Sequence, residues 1–173
     1  MTRFVRAHSV IAILVGAIAL LFLFAGLAKT EAATASSTFN VNANVLAVCT
    51  VSATDLNFGD YDASHPSARD ASSTLGVTCS NGQDYTVALG TGSGSGATIA
   101  DRKMTSGANT LNYGLYSDSS HNTIWGDGTL ASVTVPGTGD GQAQSLTVHG
   151  RIPPGQHVAS GTYSDTITVT LNY

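Results

Sequence analysis

Charge is scarce in this chain. Only 10% of its 173 residues are Asp, Glu, Lys or Arg, and Lys and Arg together number 7 against 11 Asp and Glu. Arg3, Arg6 and Lys29 lie near the N-terminus, so the sequence after position 35 keeps four basic and ten acidic side chains, a net charge of −6. A surface so poor in Lys and Arg has no electrostatic footprint for nucleic acid or an anionic membrane. Cysteine is nearly absent: Cys49 and Cys79 are the whole complement, without Cys-x-x-Cys spacing or an adjacent histidine, which argues against a metal pair or a redox motif. Beyond the N-terminal region no window places apolar residues at i, i+3, i+4 and i+7, so amphipathic helices are not expected.

What is present begins with an export signal. Arg3 and Arg6 precede an uncharged, mostly apolar stretch from Val10 to Ala28, and small residues follow. That is the order of a secretory signal, with Ala33-Thr34-Ala35 fitting the small-x-small cleavage rule and residues 28–32 offering alternative cuts. The competing reading is a retained anchor, because the apolar run approaches the roughly 20 residues needed to span a bilayer. Residues 1–35 are therefore read as a signal cleaved near Ala35, leaving one domain and no membrane segment in the mature form. In an exported chain an even cysteine count most simply means a Cys49–Cys79 disulfide. Closing a loop of about 30 residues stabilises by roughly 3.5 kcal/mol in the chain-entropy picture.

The remainder is rich in Thr, Ser, Gly, Val and Tyr, a β composition. Expected strands are 39–48, 54–58, 74–79, 85–89, 111–116, 131–135, 144–151 and 163–173. They are separated by turn signals at Asn81-Gly82, Asp127-Gly128, Asp140-Gly141 and Pro153-Pro154-Gly155. Such spacing favours an antiparallel sandwich. The tract Gly90 to Gly96 reads as a mobile surface loop. Two segments stand out. Phe39, Val41, Ala43 and Val45 alternate with asparagines, giving one apolar and one polar row. At the other end Tyr163, Asp165, Ile167, Val169, Leu171 and Tyr173 alternate with Ser, Thr and Asn to the last residue. A terminus frays unless a sheet holds it, so this final strand is expected to lie inside a sheet, with a neighbour on each side.

Catalytic constellations are missing from the sequence. There is no Gly-x-Ser-x-Gly elbow, and His65, His121, His149 and His157 are scattered, each read as a surface histidine rather than a base or metal ligand. Gly92 to Ala97 fits a loose dinucleotide pattern but starts no helix. Asp60, Asp62 and Asp70 are read as members of a solvated Ser-rich loop. Tyr113, Tyr116 and Trp125 suggest a sugar platform, although aromatics in a sandwich are more often core. No enzyme, cofactor or metal is expected.

Several stretches together resemble the spore coat protein U domain family, which includes pilins of archaic, Csu-type chaperone-usher pili. They are Val48-Cys49-Thr50-Val51, Leu56-Asn57-Phe58-Gly59-Asp60-Tyr61, Val77-Thr78-Cys79, Arg102-Lys103-Met104, Leu111 to Asp118, Trp125-Gly126-Asp127-Gly128, Gly150-Arg151-Ile152-Pro153 with Gly155-Gln156, and Gly161 to Thr166. The resemblance implies an all-β, incomplete immunoglobulin-like sandwich lacking its last strand, with a groove beside the final strand. It also implies a periplasmic chaperone that lends a strand, an outer-membrane usher, and neighbouring subunits that replace the chaperone's strand by donor-strand exchange. On that reading residues 36–45 form a donor extension with Phe39, Val41, Ala43 and Val45 as its inserted side chains. Residues 46–173 form the subunit, and Ile167, Val169 and Leu171 line the acceptor groove. The product is a surface fibre. A coat protein of resistant cells, and a self-complete secreted carbohydrate-binding module, are the alternative readings.

Overall fold

The computed structural model describes residues 31–173; the expected signal segment lies outside them up to residue 30. Among the described residues there is no helix. Eight strands occur: β1 (Cys49–Ala53), β2 (Arg69–Cys79), β3 (Asp84–Leu89), β4 (Arg102–Ser106), β5 (Asn109–Tyr116), β6 (Val135–Thr138), β7 (Ala143–Ile152) and β8 (Val169–Asn172). They form two sheets, β1-β2-β7-β5-β4 and β6-β3-β8, with every strand pair antiparallel. The all-β expectation holds, and the arrangement is an immunoglobulin-like sandwich.

Period-two patterning builds the core. In β2, Leu75, Val77 and Cys79 are buried, and in β5 Leu111, Tyr113 and Leu115 are. The row that faces them from the other sheet is Tyr85, Val87 and Leu89 of β3. These side chains meet Phe58, Trp125, Val148 and Ile152 in one cluster, each large apolar one contributing about 1.5–3 kcal/mol by leaving water. The Asn81, Asp127 and Asp140 turns each place the following glycine at positive φ, as their sequence requires.

Several expected boundaries move. Residues 31–48 carry no strand, so the strand expected at 39–48 is not formed and the first strand begins at Cys49. Residues 54–58 leave the ladder: Thr54 still bonds Thr74, but Leu56 and Phe58 then turn into the core, and the Gly59 amide donates to Asn57 Oδ1 at 2.7 Å to close a turn. β2 starts at Arg69, five residues before the expected strand. The strand expected at 131–135 lies at Val135–Thr138, because Leu130 and Ala131 both have left-handed backbone, and Pro136 is tolerated on this edge. β4 was not expected at all. Of 163–173, only Val169–Asn172 is ladder-paired over its length, with an isolated bridge from Ser164 to Thr105.

Cys49 and Cys79 are direct register partners in β1 and β2 and are disulfide-bonded. β1 is an edge strand held on one side only, so the bond pins it where main-chain pairing is weakest. Replacing both cysteines by serine is expected to lower stability by about 3.5 kcal/mol, given the 30-residue separation. Urea unfolding of oxidised and double-mutant protein measures this directly.

Candidate functional site

The unusual feature of the sandwich is its last strand. β8 pairs with β3 and, among the described residues, with no strand on its other edge, which departs from the two-neighbour expectation. The even-numbered residues carry the existing bonds: Thr170 and Asn172 face Ala88 and Thr86, and the Gly90 amide donates to the Thr168 carbonyl at 2.9 Å. Further back, Ser164 exchanges both main-chain bonds with Thr105 of β4, at 2.8 and 3.1 Å. In an antiparallel ladder the intervening residues then aim their amides and carbonyls the other way. Those of Ile167, Val169 and Leu171 consequently address the open edge.

The side chains of the same residues point inward. Tyr163, Asp165, Ile167, Val169 and Leu171 are all half-buried while Ser164, Thr166, Thr168, Thr170 and Asn172 are exposed, so the alternation read in the sequence is the alternation found. Ile167, Val169 and Leu171 pack against the core cluster without being enclosed by it. The other margin of the sandwich repeats this. Val51 lies opposite fully buried Val77 and so faces the same interior, yet Val51 is exposed, as is Ala53 opposite Leu75. Inward-facing apolar residues thus remain accessible on both margins, where β1 and β8 run near each other.

Asp165 is the single charge in the inward row. Its carboxylate accepts the Ser93 amide and hydroxyl, the Tyr113 hydroxyl and the Thr166 amide, each at 2.7 Å. Burial pushes the acid upward, but the bonds from Ser93, Tyr113 and Thr166 together outweigh it and hold Asp165 below the usual carboxylate range. Burial, reinforced by Asp165, pushes the Tyr113 hydroxyl upward, so Tyr113 remains a donor. The tract Gly90 to Gly96, expected to be mobile, is instead fastened to this carboxylate through Ser93. A Cβ at Gly92, where φ is +90°, would strike the Asp165 carboxylate, and one at Gly94 would strike the Lys103 carbonyl. The glycines are there for close approach, not for slack.

Of the residues expected to be inserted elsewhere, Phe39 is 86% exposed, Val41 83% and Val45 89%, and Ala43 is exposed as well. No strand includes them.

Other expected features change place. Trp125 is 1% exposed, with its indole N–H donating to the Val87 carbonyl, and Tyr113 is buried too. Neither ring can present a face to a sugar, which removes the platform. Asp70 is not in a loop: it stands in β2 and receives a bidentate pair from Arg151, both bonds at 2.7 Å. That pair lowers the Asp70 carboxyl, yet being exposed it contributes little stability. His121 is not on the surface. Its ring packs edge-on against Tyr116 and His149, and both its nitrogens are buried; the sequence had no signal for this, since loop 117–123 folds back over the outer face of β5 and β7. Among the described residues no three His, Cys, Asp or Glu side chains converge at metal-binding distance.

Residues 35–170 match the family model described as the Spore Coat Protein U domain. Protein U of Myxococcus xanthus is 33% identical over 158 residues, covering 83% of this chain and 87% of that protein. Among solved structures, a chain of the CsuC-CsuE chaperone-tip adhesion subunit pre-assembly complex, from archaic chaperone-usher Csu pili of Acinetobacter baumannii, superposes with a TM-score of 0.52 at 27% identity. That superposition covers 75% of this chain and 40% of the other.

Proposed function

The chain belongs to the Spore Coat Protein U domain family, and from that premise we propose that it is a structural subunit of a surface fibre assembled by the chaperone-usher pathway. The observation that carries this is the open edge of β8 above an accessible inward row of Ile167, Val169 and Leu171. An edge of this kind is a template for strand addition, in which main-chain bonds give affinity and alternate side chains give register. The likeness to a chain from a chaperone–subunit complex supports a periplasmic chaperone as the first occupant. Residues 36–45 of a neighbouring copy are the second occupant, with an outer-membrane usher as the place of exchange. Phe39, Val41, Ala43 and Val45 supply an apolar row of the required period, presented to solvent and unpaired in a ladder. The acceptor subunit is then residues 46–173, exported through the periplasm after loss of residues 1–35. The mature protein carries no enzymatic role in this scheme.

Deleting residues 36–45 tests it. The shortened subunit is expected to accept a strand but not to donate one, so that co-expression with the intact chain shortens the fibres seen by electron microscopy and expression alone yields none. Full-length fibres from the deletion variant alone would overturn the donor assignment. The family's spore-coat description and the relationship to Protein U favour one second reading, in which the same polymer is laid down as a cell coat; immunogold labelling of sectioned and negatively stained cells separates coat from fibre.

A further inference from the structure

The final segment changes partner along its length, and the change leaves a gap. Residues 168–172 pair with β3 and its extension at Gly90, while Ser164 pairs with β4. Between them, at Thr166, no strand stands alongside among the described residues. The Thr166 amide turns to the Asp165 carboxylate, which also holds Ser93 and Tyr113. Asp165 thus bonds the chain at the missing stretch of ladder, where it crosses from one sheet to the other. It does so from the inward row, so one position of the groove floor is an anion that already has four hydrogen-bond donors.

That position divides the row. On the C-terminal side of Asp165 the inward residues are Ile167, Val169 and Leu171, and exposed Tyr173 continues their period, four apolar positions in all. Residues 39–45 also present four. We propose that Asp165 is the register stop of the groove, so that a donor strand from a second copy runs antiparallel with Val45 opposite Ile167, Ala43 opposite Val169, Val41 opposite Leu171 and Phe39 opposite Tyr173. This rests on the strand-donation reading above. Antiparallel pairing is the sense of every strand pair in both sheets. Sliding the donor by two residues toward the N-terminal end of the segment would press Val45 onto the Asp165 carboxylate and strip it of remaining water, a cost with no new bond to offset it. The same slide would withdraw Phe39 from Tyr173. A one-residue slide would put asparagines into the groove.

The register can be read without touching the core. On the open edge the even-numbered acceptor residues occupy non-hydrogen-bonded positions, where facing Cα atoms approach to about 4.5 Å and cysteines cross-link readily. Thr166 and Thr168 are exposed. In fibres of the full chain, the pair Asn44→Cys with Thr168→Cys is expected to give a ladder of covalent multimers on non-reducing electrophoresis. Asn44→Cys with Thr166→Cys is expected to give at least about tenfold less, the ratio that ~1.4 kcal/mol of register preference produces. A stronger ladder from the Thr166 pair would overturn the proposed register while leaving strand donation intact. Absence of a ladder from both pairs, in fibres that otherwise assemble, would overturn strand donation by residues 36–45 and the register with it. Adding Asp165→Leu to the Thr166 pair is expected to raise its ladder by making the slipped register apolar; if that variant folds and the ladder does not rise, Asp165 is not the stop. The two cysteine pairs decide the register whether or not that variant folds.

Discussion

Replacing Arg102 by methionine is expected to cost the domain at least about 4 kcal/mol, most of what a small domain has. The side chain is fully buried, and its compensation comes entirely from carbonyl oxygens. Nε donates to Gly90 at 2.8 Å, Nη1 to Ile99 at 2.9 Å, and Nη2 to Trp125 at 2.8 Å and Leu89 at 3.3 Å. Burial draws the guanidinium pKa down from its ordinary value, while Tyr113, Asp165, Asp127 and Tyr116 draw it back; starting so high, the group remains charged. Methionine would fill part of the volume and leave four acceptors without a donor, each worth about 1–3 kcal/mol before the structure relaxes. Lysine would keep the charge but reach fewer of the four, since its three donors radiate from one point rather than from a planar fork. Urea midpoints should therefore rank wild type above Arg102→Lys above Arg102→Met. The last step is a drop of about 2 M from wild type, for a slope near 2 kcal/mol per molar. The carbonyls involved close the end of β3 beside the final segment, so the loss should also weaken strand acceptance.

Arg102 shows where the sequence stops being readable. Period-two reading works by finding apolar residues on one face, and the β4 sequence Arg-Lys-Met-Thr-Ser has one apolar residue in five. Its buried member is a cation, so period-two patterning is blind to the strand although Arg102-Lys103-Met104 is one of the stretches that carry the family resemblance. The converse error occurs at 54–58, where apolar residues are buried without a ladder: hydrophobic spacing reports burial and says nothing of main-chain partners. The final row from Tyr163 to Leu171 was legible because alternation and burial coincide there. Its position at an edge was not legible, because a side-chain pattern cannot count neighbours. Likewise Phe39 to Val45 declare a face in the sequence, and a face alone does not name the chain on which it will lie. His121 was missed for a different reason: a single loop residue carried over a sheet leaves no periodic trace.

Trp125→Ala is expected to destabilise the domain by roughly 5 kcal/mol, at the upper end for an aromatic core truncation. The indole is enclosed among the core residues, and its N–H satisfies the Val87 carbonyl in the middle of β3 at 2.9 Å. Its own carbonyl accepts from Arg102, and its amide donates to Leu115, so the residue joins β3, β4 and β5. Truncation to alanine opens a cavity and orphans a buried carbonyl; Trp125→Phe should keep most of the packing and lose mainly the hydrogen bond, for about 2 kcal/mol. Calorimetry of the two variants measures the difference, and the outcome bears on function. Were Trp125 a sugar platform, alanine would abolish ligand binding and leave the melting transition in place. Burial places the whole effect in the folding transition instead, with the alanine variant losing more than twice as much stability as the phenylalanine variant. A Trp125→Ala protein with an unshifted transition would return the aromatic cluster to the surface and reopen the binding-module reading; a shifted one leaves the open edge of β8 as the feature from which function has to be built.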